Sequence, residues 1–114
     1  MKPYELSLAE ASSRIKNGSL SPIDLAESLL ERIDEIEPTL EAWVTVNGDQ
    51  VRKEAEKITR MLGEGVRSGI HGIPVGVKDI YFTKGMKTTM GSPIFRNYVP
   101  GGDADIRVTM KQAG

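Results

Sequence analysis

The chain changes character once, near Gly63, and that change limits its folds more than any other feature. Before it, apolar residues recur at helical spacing; between Gly69 and Gly102 glycine and proline return every few residues. No long helix can run through the second stretch, so strands joined by shaped loops are expected there.

Three helical patterns precede the change. Ser7 followed by Glu10 has capping-box spacing, Leu8, Ala11 and Ile15 recur on one face, and Asn17-Gly18 suits a helix end. Asn17-Gly18-Ser19 also matches a glycosylation acceptor, but with no secretion signal the helix end accounts for it. The second pattern opens with Ser21 as cap, Pro22 at the first helical position and Asp24 near the positive end of the dipole. Leu25, Ala26, Leu29, Leu30, Ile33 and Ile36 then form a broad apolar stripe, which reads as core packing, until Pro38 prevents continuation. Trp43-Val44-Thr45-Val46 suits a short strand, and Asn47-Gly48-Asp49 is a turn or a helix cap. Helical period returns from Val51 through Ala55 and Ile58 to Leu62. A last helix places Ile106, Met110 and Ala113 on one face, with Asp103 as its cap.

Composition closes several chemistries. The chain has 114 residues, no cysteine, one histidine and a net charge of -1 from 15 basic and 16 acidic residues. Disulfides, thiol nucleophiles and thiolate metal sites are out, and nothing draws the chain to nucleic acid or anionic lipid. No apolar run approaches a membrane span and the start lacks a secretion signal, so a cytoplasmic location is expected. His71, set among glycines, reads as a loop residue in preference to a chemical one. Gly63-Glu64-Gly65-Val66-Arg67-Ser68-Gly69 misses the dinucleotide spacing and no glycine is followed directly by lysine, so nucleotide binding is unsupported. No residue is assigned to a cofactor or a metal.

Ile73-Pro74-Val75-Gly76-Val77-Lys78-Asp79 alternates as a strand would, with Ile73, Val75 and Val77 on one face and Pro74, Gly76 and Lys78 on the other. A lysine at a strand end, beside a glycine and enclosed by a pocket, would lose hydration and become able to deprotonate a serine. On spacing alone, Lys-Asp at a strand end is usually a solvated turn or an exposed ion pair. Asp79 also reads as a carboxylate bonding nearby backbone N–H groups. Gly85, Thr88, Thr89, Gly91 and Ser92 fit either a substrate loop or plain turn geometry, and Ser92 has no adjacent base in sequence.

Taken together, these residues resemble the amidase-signature enzymes, which include general amidases and the A subunit of tRNA-dependent amidotransferases. His71-Gly72-Ile73-Pro74-Val75-Gly76-Val77-Lys78-Asp79 is similar to the family's strand with its catalytic lysine, and Thr88-Thr89-Met90-Gly91-Ser92-Pro93 to its threonine-rich loop. Val99-Pro100, Asp103-Ala104, Met110 and Ala113-Gly114 resemble the following helix, and Arg32-Ile33, Glu37-Pro38 and Ala42-Trp43 the N-terminal region. The resemblance implies a Ser-cisSer-Lys triad with Lys78 as its lysine; the family's serines lie in a glycine- and serine-rich segment farther along, and none is carried over here. Ile80 stands where many members have asparagine, a form similar to general amidases.

The expected fold class is α/β: N-terminal helices plus the beginning of a mixed sheet flanked by helices, an incomplete amidase-signature fold. Residues 1–114 are expected to be the N-terminal part of one such domain, with 1–65 mainly helical and 66–114 holding the strand, the lysine loop and a helix. The expected function is amide-bond hydrolysis of a small-molecule amide, with this chain a truncated piece that is inactive alone. The alternatives are the A subunit of a glutamyl/aspartyl-tRNA amidotransferase and a non-catalytic interaction module. Uncovered helix faces and a sheet edge predict marginal folding, self-association or a complementing C-terminal chain as partner, with no direct contact to nucleic acid or membrane.

Overall fold

Local chemistry sets where the helices begin. In the computed structural model, which describes residues 1–114, α1 spans Leu8–Lys16, α2 Pro22–Leu40, α3 Gly48–Met61 and α4 Asp105–Gln112. The Ser7 hydroxyl accepts the Glu10 N–H while the Glu10 carboxylate accepts the Ser7 N–H at 2.9 Å, so two unpaired donors are satisfied reciprocally. Ser21 caps α2 by accepting the Asp24 N–H at 3.1 Å, and Asn47 caps α3 by accepting the Gln50 N–H at 3.1 Å. Asp103 does not cap α4. Its carboxylate instead accepts the Lys84 N–H at 2.7 Å and a bond from Arg107.

Pro38 does not end α2, which continues to Leu40. Proline removes one donor, yet the helix closes beyond it because Glu41 turns into the left-handed region (φ 49°) and its N–H returns to the Glu37 carbonyl at 2.8 Å.

The chain divides into two units, Met1–Pro74 with Ala113–Gly114, and Val75–Gln112. In the first, Ala11, Ile15, Leu20 and Leu25 form the buried core, with Leu6, Leu29, Leu62 and Ile73 packed against it. Ile15 is 3 % exposed, whereas Leu8, assigned to the same stripe by spacing, is 57 % exposed and lies outside the core. Pro3–Glu5 forms a single 3-10 turn beside α2, where the Tyr4 N–H reaches the Ser28 hydroxyl at 3.1 Å and the Arg32 guanidinium lies 5.2 Å from the Tyr4 ring centroid. Arg52 of α3 pairs with Glu27 of α2 at 2.7 Å, a half-exposed bridge that orients the helices more than it stabilises them.

The expected sheet is absent. Neither Trp43-Val44-Thr45-Val46 nor Ile73-Pro74-Val75-Gly76-Val77-Lys78-Asp79 is a strand, and every regular element is helical. The α/β fold class, read as the beginning of a mixed sheet, is therefore corrected to an all-helical chain with irregular connections. The reason is non-local: β-propensity and alternation describe one segment, but a strand exists only when a neighbour supplies the other half of its hydrogen-bond ladder. Residues 74–77 take part in no backbone hydrogen bond outside the helices. No helix is long and apolar enough to cross a membrane.

Gly72 lies where the 65–73 segment meets α2. Its φ is +79°, and a Cβ there would stand 2.7 Å from Pro22 Cγ; Gly18 has the same backbone sign (φ +80°) but open space around it. Gly18→Ala should thus cost about 1–2 kcal/mol, the left-handed penalty alone, and Gly72→Ala distinctly more in urea denaturation. Equal costs would show that the Gly72–Pro22 approach is not a feature of the folded chain.

Candidate functional site

His71 is the most enclosed titratable side chain, at 2 % exposure. Its Nδ1 accepts the Arg67 N–H at 2.9 Å, closing the turn that holds it. Ala113 and Gly114 cover that turn: the Ser68 hydroxyl donates to the Ala113 carbonyl at 2.7 Å and the Gly72 N–H to the Gly114 carbonyl at 2.9 Å. The buried Nε2 closes no hydrogen bond of good geometry. Burial pushes the imidazole below its ordinary proton affinity, the Arg67 charge adds to this, and the Ile58 carbonyl opposes it. The ring is thereby a neutral structural acceptor, as the loop reading expects.

In the second unit, Lys78 stands at the end of the irregular 73–78 segment and is exposed; it makes no salt bridge. The Lys78 carbonyl accepts the Ile80 N–H at 2.8 Å and the Tyr81 N–H at 3.1 Å, which turns the chain immediately after the lysine. A small depression open to solvent lies beside it, lined by Gly76, Lys78 and Tyr81 and by Ile106, Arg107 and Met110 of α4. The enclosure that would strip water from the amine is not built by these residues.

Asp79 is occupied elsewhere. Its carboxylate accepts the Thr89 N–H at 2.7 Å and the Thr89 hydroxyl, and its carbonyl accepts the Met90 N–H at 2.9 Å. From the sequence, Asp79 is expected to bond nearby backbone N–H groups; its carboxylate does accept a backbone N–H, but from Thr89, ten residues on, and it makes no ion pair with Lys78. Thr88 is fully buried; its hydroxyl meets the Thr83 hydroxyl at 3.2 Å and the Tyr81 carbonyl at 3.3 Å, while its N–H donates to the Tyr98 carbonyl at 2.9 Å. Gly85 and Gly91 occupy left-handed turn positions, and Ser92 caps the short 3-10 turn Pro93–Phe95 by accepting the Ile94 N–H at 3.4 Å. Turn geometry and local hydrogen bonding thus account for this loop.

Two contributors escape a reading of the sequence. Thr83 is buried against Thr88, a pairing that no spacing rule signals. Arg107 binds the Asp103 carboxylate and donates to the Lys84 carbonyl at 3.3 Å. Its place four residues after Asp103 is the available signal. Burial alone would raise the Asp103 carboxyl, but the Lys84 N–H and the Arg107 guanidinium outweigh it and hold the group below its ordinary value.

Comparison with known proteins agrees with the lysine motif's resemblance. The family model described as Amidase matches residues 24–114. The A subunit of the glutamyl-tRNA(Gln) amidotransferase of Geotalea daltonii is 36 % identical over the whole chain, which covers 24 % of that relative. Its counterpart of the same name from Syntrophus aciditrophicus is 33 % identical, again over the whole chain and 24 % of its own length. The solved structure of the peptide amidase PAM with the competitive inhibitor chymostatin aligns with a TM-score of 0.89 at 32 % identity, covering 98 % of this chain and 24 % of that one. The chain thus spans about a quarter of the length of the relatives it matches.

The buried ring of His71 yields a pH prediction. Its folded-state affinity for a proton is below the unfolded value near 6.5, so its contribution is present above that pH and is lost as pH falls, because the unfolded chain takes up a proton that the folded chain refuses. Folding free energy should fall between pH 7 and 5 by at most about 1.4 kcal/mol per pH unit, and His71→Asn should flatten the profile in that window. A flat profile for the unsubstituted chain would contradict the neutral buried ring.

Proposed function

This chain belongs to the amidase family, and we propose that it supplies the base of an amide-bond hydrolase, with Lys78 in that role. The observation that carries the reading is that the family match runs through Lys78 while the lysine itself is left without a carboxylate partner. An amine held by a salt bridge would keep its proton; one without a counter-ion needs only loss of water to become a base.

In the scheme implied by the resemblance, the neutral amine of Lys78 accepts a proton from a bridging serine, which takes one from a second serine. The oxygen of the second serine attacks the amide carbonyl, the C–N bond breaks as the leaving amine is protonated, and water then hydrolyses the acyl ester to the carboxylate. The resemblance puts both serines in a glycine- and serine-rich segment farther along the family domain, of which this chain covers about a quarter. The remainder of that domain has to provide the wall that encloses Lys78, since the amine is exposed here. It is, on this reading, the partner of the chain, whether covalently continuous or supplied separately, and the 114 residues alone are inactive.

A second reading, the A subunit of a glutamyl/aspartyl-tRNA amidotransferase, draws on the name of the Geotalea daltonii relative. It predicts dependence on companion subunits and a charged tRNA to receive the released ammonia. Ile80 favours a general amidase over this reading, because many members of the family have asparagine there.

The test is amide hydrolysis. The 114-residue chain by itself should give no turnover. When it is completed by the remaining part of the domain, Lys78→Ala should lower kcat by about 10²–10⁴-fold, with Lys87→Ala as an inert control. Turnover by the isolated chain that Lys78→Ala abolishes would show that serines farther along are not required; an unaffected rate in the completed protein would remove Lys78 from the chemistry.

A further inference from the structure

Lys78 and Asp79 are neighbours in sequence, and a flexible lysine beside a free carboxylate can fold back to form an ion pair. Here the carboxylate is spoken for. Thr89 presents both its N–H, at 2.7 Å, and its hydroxyl to Asp79, and the Met90 N–H donates to the Asp79 carbonyl at 2.9 Å. Thr89 is 8 % exposed and Asp79 is half-buried, so the Thr89–Asp79 bonds are partly sheltered from water. Met90 lies in the left-handed region at φ 54°, an unfavourable conformation for a residue with a side chain. Closure of the loop onto Asp79 therefore outweighs a local backbone cost.

We propose that Thr89 is a positioning residue: by directing both its main-chain and side-chain donors to Asp79, it keeps that carboxylate off the Lys78 amine and leaves the lysine without a counter-ion. The consequence is chemical. A carboxylate in contact with the amine would favour its charged form and reduce the neutral fraction available to accept a proton. The other titratable groups lining the depression beside Lys78 are Tyr81 and Arg107, and Arg107 is paired with Asp103, whose second oxygen lies 3.7 Å from Lys111. None of them is a free carboxylate. Thr88 cannot substitute for Thr89, because its hydroxyl is engaged with Thr83 and the Tyr81 carbonyl. The inference rests on Lys78 as the base, but the arrangement itself can be measured without any hydrolysis.

The measurement is the rate at which an amine-directed ester acylates Lys78, resolved by peptide mass spectrometry across pH 7 to 10, because only the neutral amine reacts. Thr89→Val removes the hydroxyl bond, leaves one Asp79 oxygen without its donor, and should slow Lys78 labelling by about two- to three-fold at pH 8, the size of an exposed ion pair, with the profile displaced to higher pH. Thr89→Ser, which keeps the hydroxyl, should restore the original profile, and so should Thr89→Val combined with Asp79→Asn. Labelling of Lys57 on α3 should stay unchanged throughout. If Thr89→Val does not fold, Asp79→Asn alone decides: asparagine can keep the bond from the Thr89 N–H, so Lys78 labelling should change little. A rise of about two-fold or more, the release of an exposed ion pair, would show that Asp79 already pairs with the amine and overturn the proposal. Unchanged labelling in a folded Thr89→Val chain would overturn it as well. A hydrolysis assay in which Lys78→Ala is without effect would remove the base assignment while leaving the labelling result intact.

Discussion

Hydrogen bonding to Asp79 is the constraint on which the lysine loop depends. In Val75–Gln112 no large apolar side chain is buried; the residues withdrawn from water are Thr83, Thr88, Thr89 and Pro100. A segment of this kind cannot rely on apolar burial and has no sheet ladder to satisfy its backbone, so side-chain acceptors take over that task. Asp79 gathers the donors of Thr89 and Met90, the Thr88 hydroxyl receives the Thr83 N–H, and Asp103 receives the Lys84 N–H. Aromatic edges add to this where Tyr98 meets Phe82 and Phe95 at centroid distances of 5.9 and 6.1 Å.

The first unit is held by the opposite means. Ala11, Ile15, Leu20 and Leu25 make a small apolar core, and the turn carrying His71 is seated on Pro22 and Ile15 through a glycine that admits no side chain. A neutral imidazole serves there as a main-chain mimic, accepting one N–H in a place where a charged ring would be costly. The sole histidine is therefore used for architecture.

For the chemistry, the loop is informative in what it withholds from Lys78. Water holds a lysine in its charged form, and the amine becomes a useful proton acceptor when that form loses support. Two supports can be withdrawn, hydration and a counter-ion. Asp79 is turned to Thr89, so the counter-ion is missing; the exposure of Lys78 shows that hydration is not yet removed by these residues. On the proposed reading, removing that hydration falls to the remainder of a family domain of which this chain covers about a quarter.

What the sequence determined by itself is local. Ser7, Ser21 and Asn47 cap helices because a side-chain oxygen and a backbone N–H three residues on are joined by a few bonds. The tertiary structure decided everything that needs a second segment: that Trp43-Val44-Thr45-Val46 and residues 73–79 stay unpaired, that Leu8 is exposed while Ile15 is buried, that Thr89 rather than Lys78 claims the Asp79 carboxylate, and that α2 passes Pro38. A pattern along one segment records its preferences, whereas ladders, burial and the choice between competing partners are fixed by groups that only folding brings within bonding distance.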